Sequence, residues 1–173
     1  MTLADPPRPR ARRGGPALRL SPGARRATLA AHIVLSVGLL GEVSAFLAIA
    51  ARAAGTADAS LAAAAYDLLA MFQILFGIPL SFLALLTGLR LGLGTKWGVL
   101  RYPWVTIKLL LLVSVILVGA LLLGPSVDAI RDGDDGVEGR IVAGAAWDVL
   151  ALITAAVLSV YKPGRPRRPR RAG

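Results

Sequence analysis

The run Ala27-Thr-Leu-Ala-Ala-His32-Ile-Val-Leu-Ser36-Val-Gly38-Leu-Leu-Gly41-Glu42-Val-Ser44-Ala-Phe46-Leu-Ala-Ile-Ala-Ala51 decides the fold. It is 25 residues long, and within it only His32 and Glu42 carry titratable side chains. A helix of that length rises about 37 Å, more than the ~30 Å hydrocarbon core of a bilayer. Three further apolar blocks follow: Leu61–Leu89 with Asp67, Gln73 and Pro79, Trp104–Leu123 with Lys108, and Ile141–Tyr161 with Asp148. Each reaches the roughly 20 residues a crossing needs. Backbone groups left unpaired in lipid cost several kcal/mol each, so helices are the expected form. The sequence predicts an all-α integral membrane protein, an up-down four-helix bundle over 27–161 between disordered basic tails at 1–26 and 162–173.

Composition narrows the function classes. The 173 residues are 55% hydrophobic and 17% charged, with a mean hydropathy of +0.65. A soluble domain runs about 45–50% apolar and about 25% charged. There is no cysteine, which excludes disulfides, thiolate metal sites, iron–sulfur clusters and thiol redox chemistry. The single histidine, His32, excludes a histidine-cluster metal site within one chain, and bis-histidine haem ligation would need two chains. No nucleophile–base pair or phosphate loop argues for an enzyme, and no cofactor or metal is expected.

The basic residues choose an orientation. The first tail, the 90–103 connection and the last tail together hold sixteen lysines and arginines, against Arg52, Arg131 and Arg140 on the other side. Short basic segments stay cytoplasmic, so both termini and the second connection are expected inside, at the inner (plasma) membrane. Arg25-Arg26 ahead of an apolar run also resembles a secretory signal. The run is longer than a usual signal core of about 7–15 residues and carries Glu42, so a retained span is expected. The tails, rich in Arg, Pro and Gly, cannot bury enough surface to offset ordering, and anionic lipid headgroups are their expected partner. No aromatic residues interleave with the arginines, so nucleic acid is not expected.

The stretch Gly88-Leu-Arg90-Leu-Gly92-Leu-Gly94-Thr-Lys96-Trp97-Gly98-Val-Leu-Arg101-Tyr102-Pro103-Trp104 is the most distinctive. Its glycines lack both the spacing and the preceding strand of a phosphate-binding loop. Trp97, Tyr102 and Trp104 fit an interfacial aromatic belt, with Arg90, Lys96 and Arg101 facing headgroups. Together with His32–Gly41 and the Lys108-Leu pair, this string resembles a family of bacterial four-helix integral membrane proteins built on a domain of unknown function. That family is loosely similar to the membrane domains of copper-resistance-D-like proteins. The resemblance covers roughly Thr28 to Leu123 and implies the four-span architecture. Relatives often carry histidine where this chain has Tyr102, so no haem or metal role comes over with it.

Packing and polarity supply the remaining expectations. Helices in lipid associate through small residues, here Gly41 with Ala45, Gly77 with Ser81, Ala84 with Gly88, and Ala151 with Ala155 and Ser159. The third helix is bulky and is expected to face lipid over much of its surface. Pro79 frees the Leu75 carbonyl and should kink the second helix. Asp67 and Asp148 lie near the ends of their spans and are expected at interface depth. Lys108 should snorkel to headgroups, and His32 should be neutral with one bond to a neighbouring helix. Glu42 lies too deep to reach water. The sequence expects it inward, as a neutral carboxylic acid bonded to Gln73, Ser81 or Ser114. Helix packing or contact with a second copy or another membrane protein is the first function these features suggest. The alternatives are a proton or cation pathway through Glu42, Asp67 and Asp148, with His32, Gln73 and Lys108 in support, and haem or quinone redox chemistry. Ser36 and Glu42 sit about 120° apart on the helix wheel, as do Asp67 and Gln73, so no polar stripe for a wide pore is expected.

Overall fold

The computed structural model describes residues 20–94, 102–134 and 136–161. Among them the secondary structure is helical throughout, without a strand. Four helices are each long and apolar enough to cross a membrane: α1 Pro22–Ala54, α2 Ala59–Leu93, α3 Pro103–Arg131 and α4 Glu138–Tyr161. The expectations for the two tails and for Lys96, Trp97 and Arg101 lie outside the described residues.

Local chemistry starts and stops the helices. Ser21 caps α1, its Oγ accepting from the Ala24 amide at 3.2 Å, and Pro22 occupies the first turn, where a missing N–H is harmless. The helix thereby begins inside the stretch expected to be a tail. Asp58 caps α2 by accepting from the Ser60 and Leu61 amides. At the end of α3, Asp134 donates to the Ala129 carbonyl and Gly133 to that of Ile130. That crossed pair requires a left-handed residue, and Gly133 supplies it with φ +94°.

Both interior prolines follow a π turn. Gln73–Gly77 precedes Pro79, and Gly119–Leu123 precedes Pro125. A proline ring collides with the carbonyl four residues earlier, here Leu75 and Leu121. Widening the preceding turn relieves the collision: Ile78 donates to the Gln73 carbonyl and Gly124 to that of Gly119, each five residues back. One expectation is refined and another corrected. The disturbance at Pro79 takes the form of a π turn within a continuous helix. The third helix also passes the expected end at Leu123, because its π turn absorbs Pro125, and it continues to Arg131 with Ser126 and Val127 buried.

Two apolar clusters form the core. The first joins Phe46, Ala50 and Ala53 at the end of α1, Tyr66 and Leu69 near the start of α2, Leu123 and Val127 late in α3, and Ile141 and Ala145 early in α4. The second joins Leu39 and Val43, Ala84, Val115, and Ala151 and Leu152. Helix α3 is the least enclosed, with 6% of its most apolar window buried against 28% for α1 and α4. Gly144 lets α3 and α4 approach closely: a Cβ there would stand 2.8 Å from Leu123 and 2.9 Å from Leu122. Gly41 is not a packing residue as expected: a Cβ there would meet nothing within 4 Å.

Candidate functional site

Between the two apolar clusters lies a cavity of about 180 Å³ whose lining draws on all four helices. Its walls are apolar, including Leu39, Val43, Phe46, Phe82, Val115 and Leu123. Four polar side chains break them: Glu42 from α1, Gln73 and Ser81 from α2, and Asp148 from α4. Among the described residues no lysine, arginine or histidine lines the cavity.

Each polar group arrives for a local reason. Glu42 lies between the buried Leu39, Val43 and Phe46 and is half-buried itself. Its carboxylate rests against α2 at Gly77, where Oε1 would stand 3.3 Å from a Cβ. Any larger residue at 77 would press on it. Gln73 opens the first π turn, and its Nε2 donates to the Gly119 carbonyl, 2.8 Å away, at the start of the second. The two widened turns are thus tied together across the cavity. Gln73 Nε2 also packs 3.1 Å from the Cβ position of Gly124. Ser81 turns back to donate to the Ile78 carbonyl of its own helix. Ser114 donates to the Leu111 carbonyl and accepts from Trp147. The three partners expected for Glu42 are therefore engaged elsewhere.

Asp148 departs furthest from expectation. It is 2% exposed, in the middle of the α4 face that buries Ile141, Gly144, Ala145, Ala151 and Leu152. Its Oδ1 is fully enclosed and has no hydrogen-bond partner among the described residues. It lines the same cavity as Glu42. The signal was present in the sequence. Stepping back from Ala151 by three and then four residues, at helical spacing, passes through 148 and 144.

The other candidates sit apart. Asp67 is exposed, as expected for a residue at an interface, and accepts from Arg131 Nε at 2.8 Å. The structure does not bring it to the cavity. His32 Nδ1 and Thr87 Oγ1 share a hydrogen bond of 2.9 Å, and Thr87 Oγ1 also lies within bonding distance of the Leu83 and Ala84 carbonyls. Its ring fits against Gly88, 3.1 Å from the Cβ position. Lys108 Nζ donates to Ser159 Oγ and sits 6.0 Å over the Trp104 ring, which in turn lies 6.4 Å from Tyr102. Arg90 is exposed near the end of α2. Among the described residues no group of three or more His, Cys, Asp or Glu side chains is arranged to hold a metal ion.

What the arrangement can do follows from its imbalance. Two carboxyl groups face one apolar cavity with no cationic side chain among its lining residues, and one carboxyl oxygen is unsatisfied. Burying unpaired negative charge in such surroundings is costly. The site suits a proton or another cation that enters and leaves. Comparison with protein-family models, with curated proteins and with solved structures finds no match for the chain.

Proposed function

We propose that this chain is a multi-pass protein of the plasma membrane, an up-down bundle of four spans with both termini cytoplasmic, and that it binds and releases a proton at the Glu42–Asp148 pair. The reading is a small proton-coupled transporter, not an enzyme. The observation that carries it is the enclosed, unpartnered Oδ1 of Asp148 in a cavity shared with Glu42 and lacking a basic side chain.

Other features support insertion and topology. Large apolar side chains face outward along every helix, among them Val34, Leu86, Leu121 and Val160. An exposed apolar surface of that extent suits lipid rather than water. The start of α1 meets the end of α2 through His32 and Thr87, and the start of α3 meets the end of α4 through Lys108 and Ser159. Those pairings suit helices that alternate in direction. The sixteen-to-three basic bias supports the cytoplasmic assignment of the termini.

Infrared spectroscopy of the reconstituted full chain tests the proton site. A protonated carboxyl band should be present at neutral pH, vanish in part in Glu42→Gln or Asp148→Asn, and vanish wholly in the double variant. Proteoliposomes carrying the wild type should also exchange protons faster than those carrying the double variant. A spectrum without the band, or with a band unchanged in the double variant, would overturn the reading.

A further inference from the structure

We propose that the cavity takes a second occupant in exchange for the proton: a small lipophilic organic cation of the alkylammonium class. The inference rests on the proton reading above and names the ligand of the same site.

The walls argue against a hard metal ion. Calcium or magnesium requires about six or more oxygen ligands in a defined shell. Here the oxygens belong to Glu42, Asp148, Ser81 and Gln73, and the remaining lining is aliphatic or aromatic apart from the π-turn backbone. The Gly119 carbonyl already accepts from Gln73 and from the Gly124 amide. An alkylammonium ion needs the opposite environment: one or two carboxylates for its charge and apolar contact for its carbons. Phe46 and Phe82 line the same cavity, and aromatic faces attract quaternary ammonium groups. The volume, about 180 Å³, limits the occupant to a small ion.

The cavity also has a side suited to entry from lipid. Its α2 and α3 walls include Ile78, Phe82 and Ala120, all exposed on the outer surface of the helices. Ile78 adjoins the first π turn and Ala120 belongs to the second. A π turn has given up its regular bonding, and such turns recur at functional positions in helices. A cation dissolved in the bilayer would reach the carboxyl pair past those side chains.

The exchange balances. When the ammonium ion enters, one carboxyl group releases its proton and becomes the counter-ion, and the site's net charge is unchanged. The binding should therefore weaken as pH falls. Among the described residues no other titratable group lines the cavity with the pair: α2 contributes Gln73 and Ser81, and α3 contributes apolar residues only. His32 and Lys108 are held by Thr87 and Ser159, and neither lines the cavity.

Radiolabelled tetraethylammonium, equilibrated with the detergent-solubilised full chain, tests this alongside a pH-indicator dye. Saturable binding should release about one proton per ion, since each ion replaces one proton as the partner of the carboxylates. Affinity should fall with decreasing pH in the wild type, a result that needs no variant. Glu42→Gln and Asp148→Asn should each weaken binding by at least about tenfold, the scale set by removing one buried charge partner. Absence of saturable binding, with the wild-type carboxyl band intact, would sink the ligand assignment and leave the proton site standing. Binding undiminished in folded forms of both variants would place the ion elsewhere and sink it as well. Loss of the infrared band would overturn both readings together. Competition by potassium at equal concentration would replace the alkylammonium class with an inorganic ion.

Discussion

Asp148 and Gln73 are both polar, both line the cavity, and make opposite contributions to stability. Gln73 completes a hydrogen bond between helices, to Gly119. Asp148 leaves Oδ1 enclosed without one. An unsatisfied buried polar atom costs about 1–3 kcal/mol. Asp148→Leu should therefore hold or raise the denaturant midpoint of the purified protein while abolishing proton exchange. Gln73→Leu should lower stability by about 1 kcal/mol, the scale of an interhelical hydrogen bond in a membrane. Unfolding titrations of the two variants, side by side, check the contrast. A fall in Asp148→Leu as large as that in Gln73→Leu would assign Asp148 to structure. Glu42 was legible in the sequence from its depth alone, because no side chain of that length reaches water from mid-helix. Asp148 was legible only from its helical spacing with Gly144 and Ala151, because its distance from the expected span end resembled that of the exposed Asp67.

Elements show how local rules combine. Pro79 announced a disturbance, but a proline alone does not say whether the helix bends, breaks or widens. A widened turn precedes each proline, and each π turn lines the cavity. The start of α2 follows simpler chemistry. The Ser60 hydroxyl at 2.6 Å, followed by the Leu61 and Ser60 amides, holds the Asp58 carboxyl below its ordinary value. The folded state thus favours the charged cap. Its contribution is complete above the unfolded value of about 3.9 and is lost as pH falls through the lowered folded value. In a carbon-detected NMR titration, Asp58 should titrate below an ordinary aspartate, and Ser60→Ala should move its midpoint upward. An unmoved midpoint would assign the shift to the backbone amides alone.

For the whole molecule, the basic bias makes a topology prediction independent of the cavity. Single cysteines at Gly133 and Gly173, probed with an impermeant thiol reagent on intact cells, should label at 133 and not at 173. The reverse pattern would invert the orientation. The sparse enclosure of α3 agrees with its bulky composition. Its Leu110, Leu117 and Leu121 face outward.

The sequence by itself determined the number of long apolar helices, their approximate bounds and the mid-helix position of Glu42. Each follows from length, hydropathy and helical rise, which are properties of one segment at a time. Only the tertiary structure decided that Glu42 and Asp148 share a cavity, that Gln73 ties one π turn to the other, and that Asp67 turns outward to Arg131. Those outcomes depend on the rotation of each helix about its axis and on its offset along its neighbours. Both are set by close contacts such as Glu42 on Gly77, His32 on Gly88 and Leu123 on Gly144. No single segment carries that information, because each contact joins residues from different helices.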